Sequence, residues 1–172
     1  MSGKVWKNIG ICLVFCGLSC VFGPYSISCM SAAVFVMMIS GLAQAPGFAL
    51  VSGILYLVAG IWLPVLPDWN HGMAHGFGTL FGNSGGLLLA LPLLAFTVSL
   101  FQRLLAQKPY LNTAVGLLAG FVVYFGLGLL WAVIKTGSVD MRAMGTPFLL
   151  YGLDALAAFA LSPFLIHSIR RK

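Results

Sequence analysis

Apolar runs of 14 to 22 residues, each with at most one charged side chain, set the strongest limit on how this chain can fold. They lie near residues 9–22, 30–45, 48–66, 85–105, 113–134 and 147–166. A helix rising about 1.5 Å per residue needs a run of this kind to cross roughly 30 Å of hydrocarbon. A soluble domain of the same length needs a charged exterior, and three acids against nine bases do not supply one. The expected fold class is therefore all-α: a polytopic membrane protein with six transmembrane helices in one bundle, spanning residues 1–172 as a single domain. The first two runs are short, so their ends are the least defined.

Prolines punctuate the runs. Gly23-Pro24, Ala45-Pro46-Gly47, Lys108-Pro109 and Thr146-Pro147 fall between them, where proline's missing N–H and its effect on the preceding residue disfavour helix. Orientation follows from the cations, because short loops rich in Lys and Arg stay cytoplasmic. Lys4, Lys7, Arg103, Lys108, Arg170, Arg171 and Lys172 share one side of a six-span chain, against Lys135 and Arg142 on the other. Both termini are expected inside. The net charge of +6 reads as a topology determinant that favours anionic lipid contact, and no nucleic-acid partner is expected.

Lys4 and Lys7 ahead of a short apolar run also resemble a signal peptide, and Cys20 a lipoprotein cysteine. The run lacks a small-x-small cleavage pattern with a polar start behind it, and Gly17 stands where a larger apolar residue belongs, so retention as the first helix is expected. Cys12, Cys16 and Cys20 recur every four residues and form one helical stripe. Small residues of this kind, with Gly10 and Gly17, let another helix or a partner subunit approach closely. Metal binding by the thiols is the alternative, and it lacks a neighbouring His or carboxylate. No disulfide is inferred for Cys29.

Between two apolar spans, the stretch from Pro67 to Gly86 gathers Asp68, Asn70, His71, His75, Thr79, Asn83, Ser84 and several glycines, in a chain only 7% charged. Non-helical backbone at membrane depth is tolerated only where protein or a water-filled cavity satisfies it. The stretch is thus a candidate re-entrant or lid loop. Gly82-Asn83-Ser84-Gly85-Gly86 places capping residues before a long helix, where free N–H groups suit an anionic or carbonyl ligand, although an ordinary capped loop has the same composition. Asp68, His71 and His75 have a spacing that, on a helix, presents three ligands to a divalent metal. Gly72 and Gly76 follow the histidines and disfavour that helix, so exposed loop histidines are expected and a metal centre is the alternative.

Asp154 lies well inside the sixth run, where a carboxylate costs at least a few kcal/mol unless it meets a polar cavity or partner. A ligand or proton site is expected there, with an interhelical structural role as the alternative.

The same residues carry a resemblance. Ser52-Gly53-Ile54-Leu55-Tyr56-Leu57 through Gly60, Leu63, Pro64 and Val65, then Gly82, Gly85 and Gly86, is similar to the BioY family, the biotin-binding membrane subunits of energy-coupling factor (ECF) transporters. Tyr151-Gly152-Leu153-Asp154 looks like that family's aspartate motif in the sixth span. The likeness covers roughly residues 30–96 and 147–163. Asn83 and Ser84 replace the family's Pro and Thr, and Trp62 stands where Gly is usual. Ser31 takes the place of a Thr, Ala33 that of a Gln, and Ala157 that of the Lys following the aspartate.

The resemblance implies a substrate-binding (S) component in the bacterial inner membrane that holds biotin near the outer face. It also implies a transmembrane coupling subunit and two ATPase subunits as partners, with no cofactor or metal of its own. The chain is not expected to be an enzyme, and no G-x-x-x-x-G-K-[ST] loop occurs in it. A ureido ring offers two N–H donors and one carbonyl, which one buried carboxylate and one amide or hydroxyl complement. Asp154 is the expected acceptor and Asn83 or Ser84 the donor. Tyr56, Trp62, Trp69 and Tyr151 are the expected apolar walls. Lys135, Arg142 and the N–H groups of Gly85 and Gly86 are the candidates for the valerate carboxylate.

The cation distribution makes a direct prediction. In a cysteine-free background, Asn70→Cys should react with a membrane-impermeant maleimide from outside intact cells, and Lys108→Cys only after permeabilisation; the opposite pattern refutes the topology.

Overall fold

A computed structural model describes residues 3–22, 26–27, 30–68, 72–82, 85–104, 109–137 and 141–170. The helices are α1 (Gly3–Phe22), α2 (Ala32–Ala43), α3 (Pro46–Trp62), α4 (Phe77–Leu80), α5 (Gly85–Leu104), α6 (Pro109–Thr136) and α7 (Met141–Arg170). The six long ones coincide with the six apolar runs, and α4 is a single turn in the polar stretch. Four contain windows long and apolar enough to cross a membrane: Val5–Phe22, Gly85–Leu104, Tyr110–Thr136 and Pro147–Phe164. The other two, Ala32–Ala43 and Pro46–Trp62, are apolar but shorter.

One of the expected helix boundaries is moved. Thr146-Pro147 does not separate elements: α7 runs through Pro147 and Pro163, and α5 runs through Pro92. A proline removes one intrahelical bond and crowds the preceding turn. In a membrane protein, neighbouring helices and local adjustment of the backbone meet that cost, whereas water favours ending the helix. Pro46 and Pro109 behave as expected, each opening a helix where the first N–H has no intrahelical acceptor. At its far end α6 stops on Gly137, whose φ of +67° and N–H bond to the Val133 carbonyl (3.0 Å) form a left-handed cap.

The polar stretch is more regular than a loop. Strand β3 (Leu66–Asp68) pairs antiparallel with β4 (Gly72–Ala74), with Leu66 opposite Ala74, Pro67 opposite Met73 and Asp68 opposite Gly72. Gly76, at φ +88°, turns the chain out of the hairpin and donates its N–H to the Gly60 carbonyl at 3.1 Å, tying the hairpin to the end of α3. A second short pair, β1 (Ser26–Ile27) with β2 (Met30–Ser31), joins α1 to α2.

Helix α5 forms the centre, packed by α6, α2 and α3, while α7 leans on α2 and α6. Leu88, Leu91, Leu94, Ala95 and Val98 of α5 are buried together with Met37, Met38, Tyr56 and Tyr124. Helix α1 lies at the edge against α3 and α2, with Leu13, Val14, Val21 and Phe22 facing outward. Close approach to α5 depends on glycine. A Cβ at Gly41 would stand 2.6 Å from the Ala95 carbonyl oxygen, and one at Gly53 would stand 2.6 Å from Pro92 Cα. Both obstacles are backbone atoms, which cannot swing aside.

Polar side chains close the end of the bundle at the α2–α3 turn. Ser99 donates to the Gln44 carbonyl at 2.6 Å, Gln44 Nε2 donates to Ser40 Oγ at 3.1 Å, and Ser52 Oγ lies 3.1 Å from Gln44 Oε1. Ser52 Oγ is also 3.1 Å from Cys12 Sγ, which attaches α1 to this network. Thr113 Oγ1 and Asn112 Nδ2 donate to the side-chain and backbone oxygens of Gln102, binding the start of α6 to the end of α5.

The steric reading of Gly53 has a measurable consequence. Gly53→Ala should lower the stability of the purified protein by about 1–3 kcal/mol. Gly126→Ala, which meets nothing within 4 Å, should leave it unchanged or slightly raised. Thermal unfolding in detergent compares the two, and equal midpoints would refute the close-packing account.

Candidate functional site

Asp154 is fully buried in α7. Tyr151, three residues earlier, shares its helical face and donates its hydroxyl to the Leu117 carbonyl of α6 at 2.8 Å. Gly120 makes room for that bond, since a Cβ there would lie 3.1 Å from the Tyr151 hydroxyl. The Tyr151 ring stacks on Tyr124 (centroids 5.7 Å apart, 29° between planes) and meets Phe121 and Phe125 edge-on. Two helices thus bring a carboxylate and two tyrosines together in the bundle interior, where a polar group needs a specific partner.

Tyr56 has a second task. Its hydroxyl donates to the Val65 carbonyl at 2.9 Å, fixing the backbone between α3 and β3. Leu66 packs where a side chain on Gly60 would otherwise sit. The polar hairpin is therefore held to the bundle by a fully buried tyrosine of α3.

The glycine-rich turn reaches α5 from the other side. The Gly85 N–H donates to the Gly82 carbonyl at 3.1 Å, so that amide, expected from sequence to face a ligand carboxylate, is already engaged. The absence of side chains at Gly85 and Gly86 has a packing cause: a Cβ would overlap the Leu80 carbonyl at Gly85 and the Trp131 side chain at Gly86.

Of the other residues singled out from sequence, Trp62 stands at the end of α3 and is 81% exposed, so it walls nothing in this structure. Arg142 falls in the first turn of α7, and Lys135 lies near the end of α6 with its Nζ 5.7 Å from the centre of the Trp131 ring. Trp69, Asn83, Ser84 and His71 lie outside the described residues. Asp68 ends β3, and His75 is exposed. Among the described residues, no group of three or more His, Cys, Asp or Glu side chains is arranged to hold a metal ion.

Sequence reasoning missed Tyr124 and Trp131. Leu117, Tyr124 and Trp131 are spaced by seven, two helical turns, so they share a face of α6. That periodicity was available, but it does not by itself say what the face meets. A cavity of about 360 Å³ between α1 and α2, lined by Phe15, Leu18, Phe22, Ala32, Phe35, Val36 and Ile39, offers no polar group and does not suit a ligand with N–H donors.

The family model described as "BioY family" matches residues 2–171. The chain belongs to the BioY family. A protein named "Probable biotin transporter BioY" from Pyrococcus horikoshii is 27% identical over 149 residues, covering 83% of this chain and 85% of the relative. The crystal structure of "the S-component for biotin from an ECF-type ABC transporter" superposes with a TM-score of 0.77 at 16% identity, covering all of this chain and 95% of the other. At that identity the superposition establishes a shared fold. The BioY motif residues Gly60, Gly85 and Gly86 are accordingly close-packing positions in this chain.

Tyr56→Phe isolates one bond of the site. It keeps the ring and removes the donor to the Val65 carbonyl, at an expected cost of about 1 kcal/mol. Chemical denaturation should register that loss, and hydrogen exchange should rise in residues 63–68 before any other segment. Unchanged exchange there would show that the bond does not hold the hairpin.

Proposed function

We propose that this chain is the membrane-embedded biotin-binding component of an ECF vitamin uptake transporter, with Asp154 as the acceptor for the ureido N–H groups. The observation that carries the reading is the fully buried carboxylate of Asp154 in a membrane-spanning helix, one turn from Tyr151, whose ring stacks on Tyr124, in a chain of the BioY family. The biotin-related relative and the shared fold support the same reading.

The chemistry suits the ligand. A carboxylate that accepts two N–H donors forms charge-assisted bonds, which are strongest where water is excluded. Asn83 or Ser84 supplies the donor for the ureido carbonyl. Tyr56 and Tyr151 wall the ring system, and Trp62 and Trp69 complete the entrance in the ligand-bound state. Where the family pattern has a lysine three residues beyond the aspartate, this chain has Ala157, and the family glutamine is Ala33, which is buried. The polar surroundings of Asp154 are phenolic here, so the ligand itself supplies more of the hydrogen bonding. Lys135, Arg142 and the amide of Gly86 remain the groups for the valerate carboxylate at the outer end.

Uptake requires partners: a transmembrane coupling subunit and two ATPase subunits, with the chain resident in a bacterial cell membrane. The outward face of α1 is the docking surface. Gly10 and Gly17 have open space around them, and Leu13, Val14 and Val21 are exposed beside them. A metal-dependent activity centred on Asp68, His71 and His75 has no support among the described residues.

Binding of labelled biotin to purified variants tests the pocket. Asp154→Asn should cost on the order of 2–3 kcal/mol, about 30- to 150-fold in affinity, because it exchanges a charged acceptor for a group that also presents N–H. Asn83→Ala should cost about 1 kcal/mol, and replacing His71 and His75 together should leave affinity unchanged. Normal binding by Asp154→Asn with loss of binding in the histidine double variant would overturn the reading in favour of a metal centre.

A further inference from the structure

Near the end of α6, Trp131 makes several contacts with the segment that leads from α4 into α5. Its indole N–H donates to the Gly82 carbonyl at 2.9 Å, an oxygen that also accepts from Gly85 N–H. Its side chain fills the space a Gly86 side chain would take, and its ring nitrogen lies 3.4 Å from the position of a Cβ on Gly85. The Phe81 ring leans on it at 6.2 Å and 40°, and Lys135 Nζ sits over the ring, 5.7 Å from its centre.

Leu80 anchors the segment in the core, while Phe77, Gly78 and Phe81 are exposed. The other described hydrogen bonds of residues 77–82 are local, from Thr79 N–H to the Gly76 carbonyl, Phe81 N–H to Phe77, Gly82 N–H to Thr79 and Thr79 Oγ1 to His75. A segment held by one buried side chain and local bonds opens at low free energy unless a distant element ties it down. Trp131 supplies a long-range hydrogen bond to it, from 49 residues away in sequence.

We infer that Trp131 is a positioning residue that latches the glycine-rich turn onto α6, and that its hydrogen bond to Gly82 limits how fast a bound ligand escapes. The ligand half of this statement rests on the biotin reading above; the latch itself does not. Trp131→Phe is the discriminating variant, since it keeps an aromatic ring against Gly86 and Phe81 and deletes the N–H donor. The loss of one neutral hydrogen bond corresponds to a change of roughly 3- to 10-fold.

The experiment uses the purified full chain in two arms. In ligand-free protein, amide hydrogen exchange over residues 77–86 should be roughly 3- to 10-fold faster in Trp131→Phe and unchanged over residues 87–100. In biotin-loaded protein, dissociation should accelerate by a similar factor, with the association rate and thermal midpoint near those of the parent. Val133→Ala, an exposed change on the same helix, should match the parent in both arms. Unchanged exchange overturns the latch. Faster exchange with an unchanged dissociation rate overturns the ligand-retention half, and a fall in thermal midpoint with exchange raised throughout overturns the latch. If the parent chain binds no biotin, the vitamin reading fails, and the exchange arm alone decides whether Trp131 holds the turn.

Discussion

Close approach of helices to α5 is the constraint on which the rest of this structure depends. Lipid tails are as apolar as leucine, so burying apolar side chains between helices in a bilayer gains little, and association relies on tight packing and interhelical hydrogen bonds. Here Gly41 of α2 meets the Ala95 carbonyl, Gly53 of α3 meets Pro92, and Gly116 and Gly120 of α6 face Val98 and Leu94. Each flanking helix comes near enough to α5 for dispersion contacts only because a side chain is missing at the crossing. Pro92 belongs to the same arrangement: it lies inside α5 against the smooth face of Gly53, so the one helix position lacking a backbone donor is covered by protein.

The polar groups follow from that packing. Once the backbones are close, Ser99 reaches the Gln44 carbonyl, Ser52 reaches Gln44 and Cys12, and Thr113 reaches Gln102. This network braces the end of the bundle at the α2–α3 turn, leaving the carboxylate of Asp154 with Tyr124 and Tyr151 as the polar cluster between α6 and α7. The two clusters differ in kind. The first is made of neutral groups that satisfy one another, which stabilises and specifies the bundle. The second centres on an ionisable group in a membrane-spanning helix, the feature that marks a transport pathway or ligand site in such proteins.

The opposite end is built differently again. The β3–β4 hairpin, α4 and the turn at Gly82 are held by a few long-range bonds: Tyr56 to Val65, Gly76 to Gly60 and Trp131 to Gly82.

Much of this was legible in the chain itself. The six apolar runs specified six helices because only internally bonded backbone is tolerated in hydrocarbon, and Asp154 declared itself because a carboxylate at that depth is costly. Tyr151 could be placed beside Asp154 from helical spacing alone. Sequence could not say that the helix would run on through Thr146-Pro147, since that depends on neighbours meeting the lost bond, nor that Trp62 would point outward. It could not say that Gly85 and Gly86 are close-packing positions, because the side chain that Gly86 accommodates is Trp131, far away in sequence. Local hydrophobicity, charge and spacing determined which segments span the membrane and which residue is costly there. The tertiary structure alone decided which distant side chains meet, because contacts between α3, α5, α6 and α7 depend on the rotation and closeness of whole helices, and no local pattern encodes those.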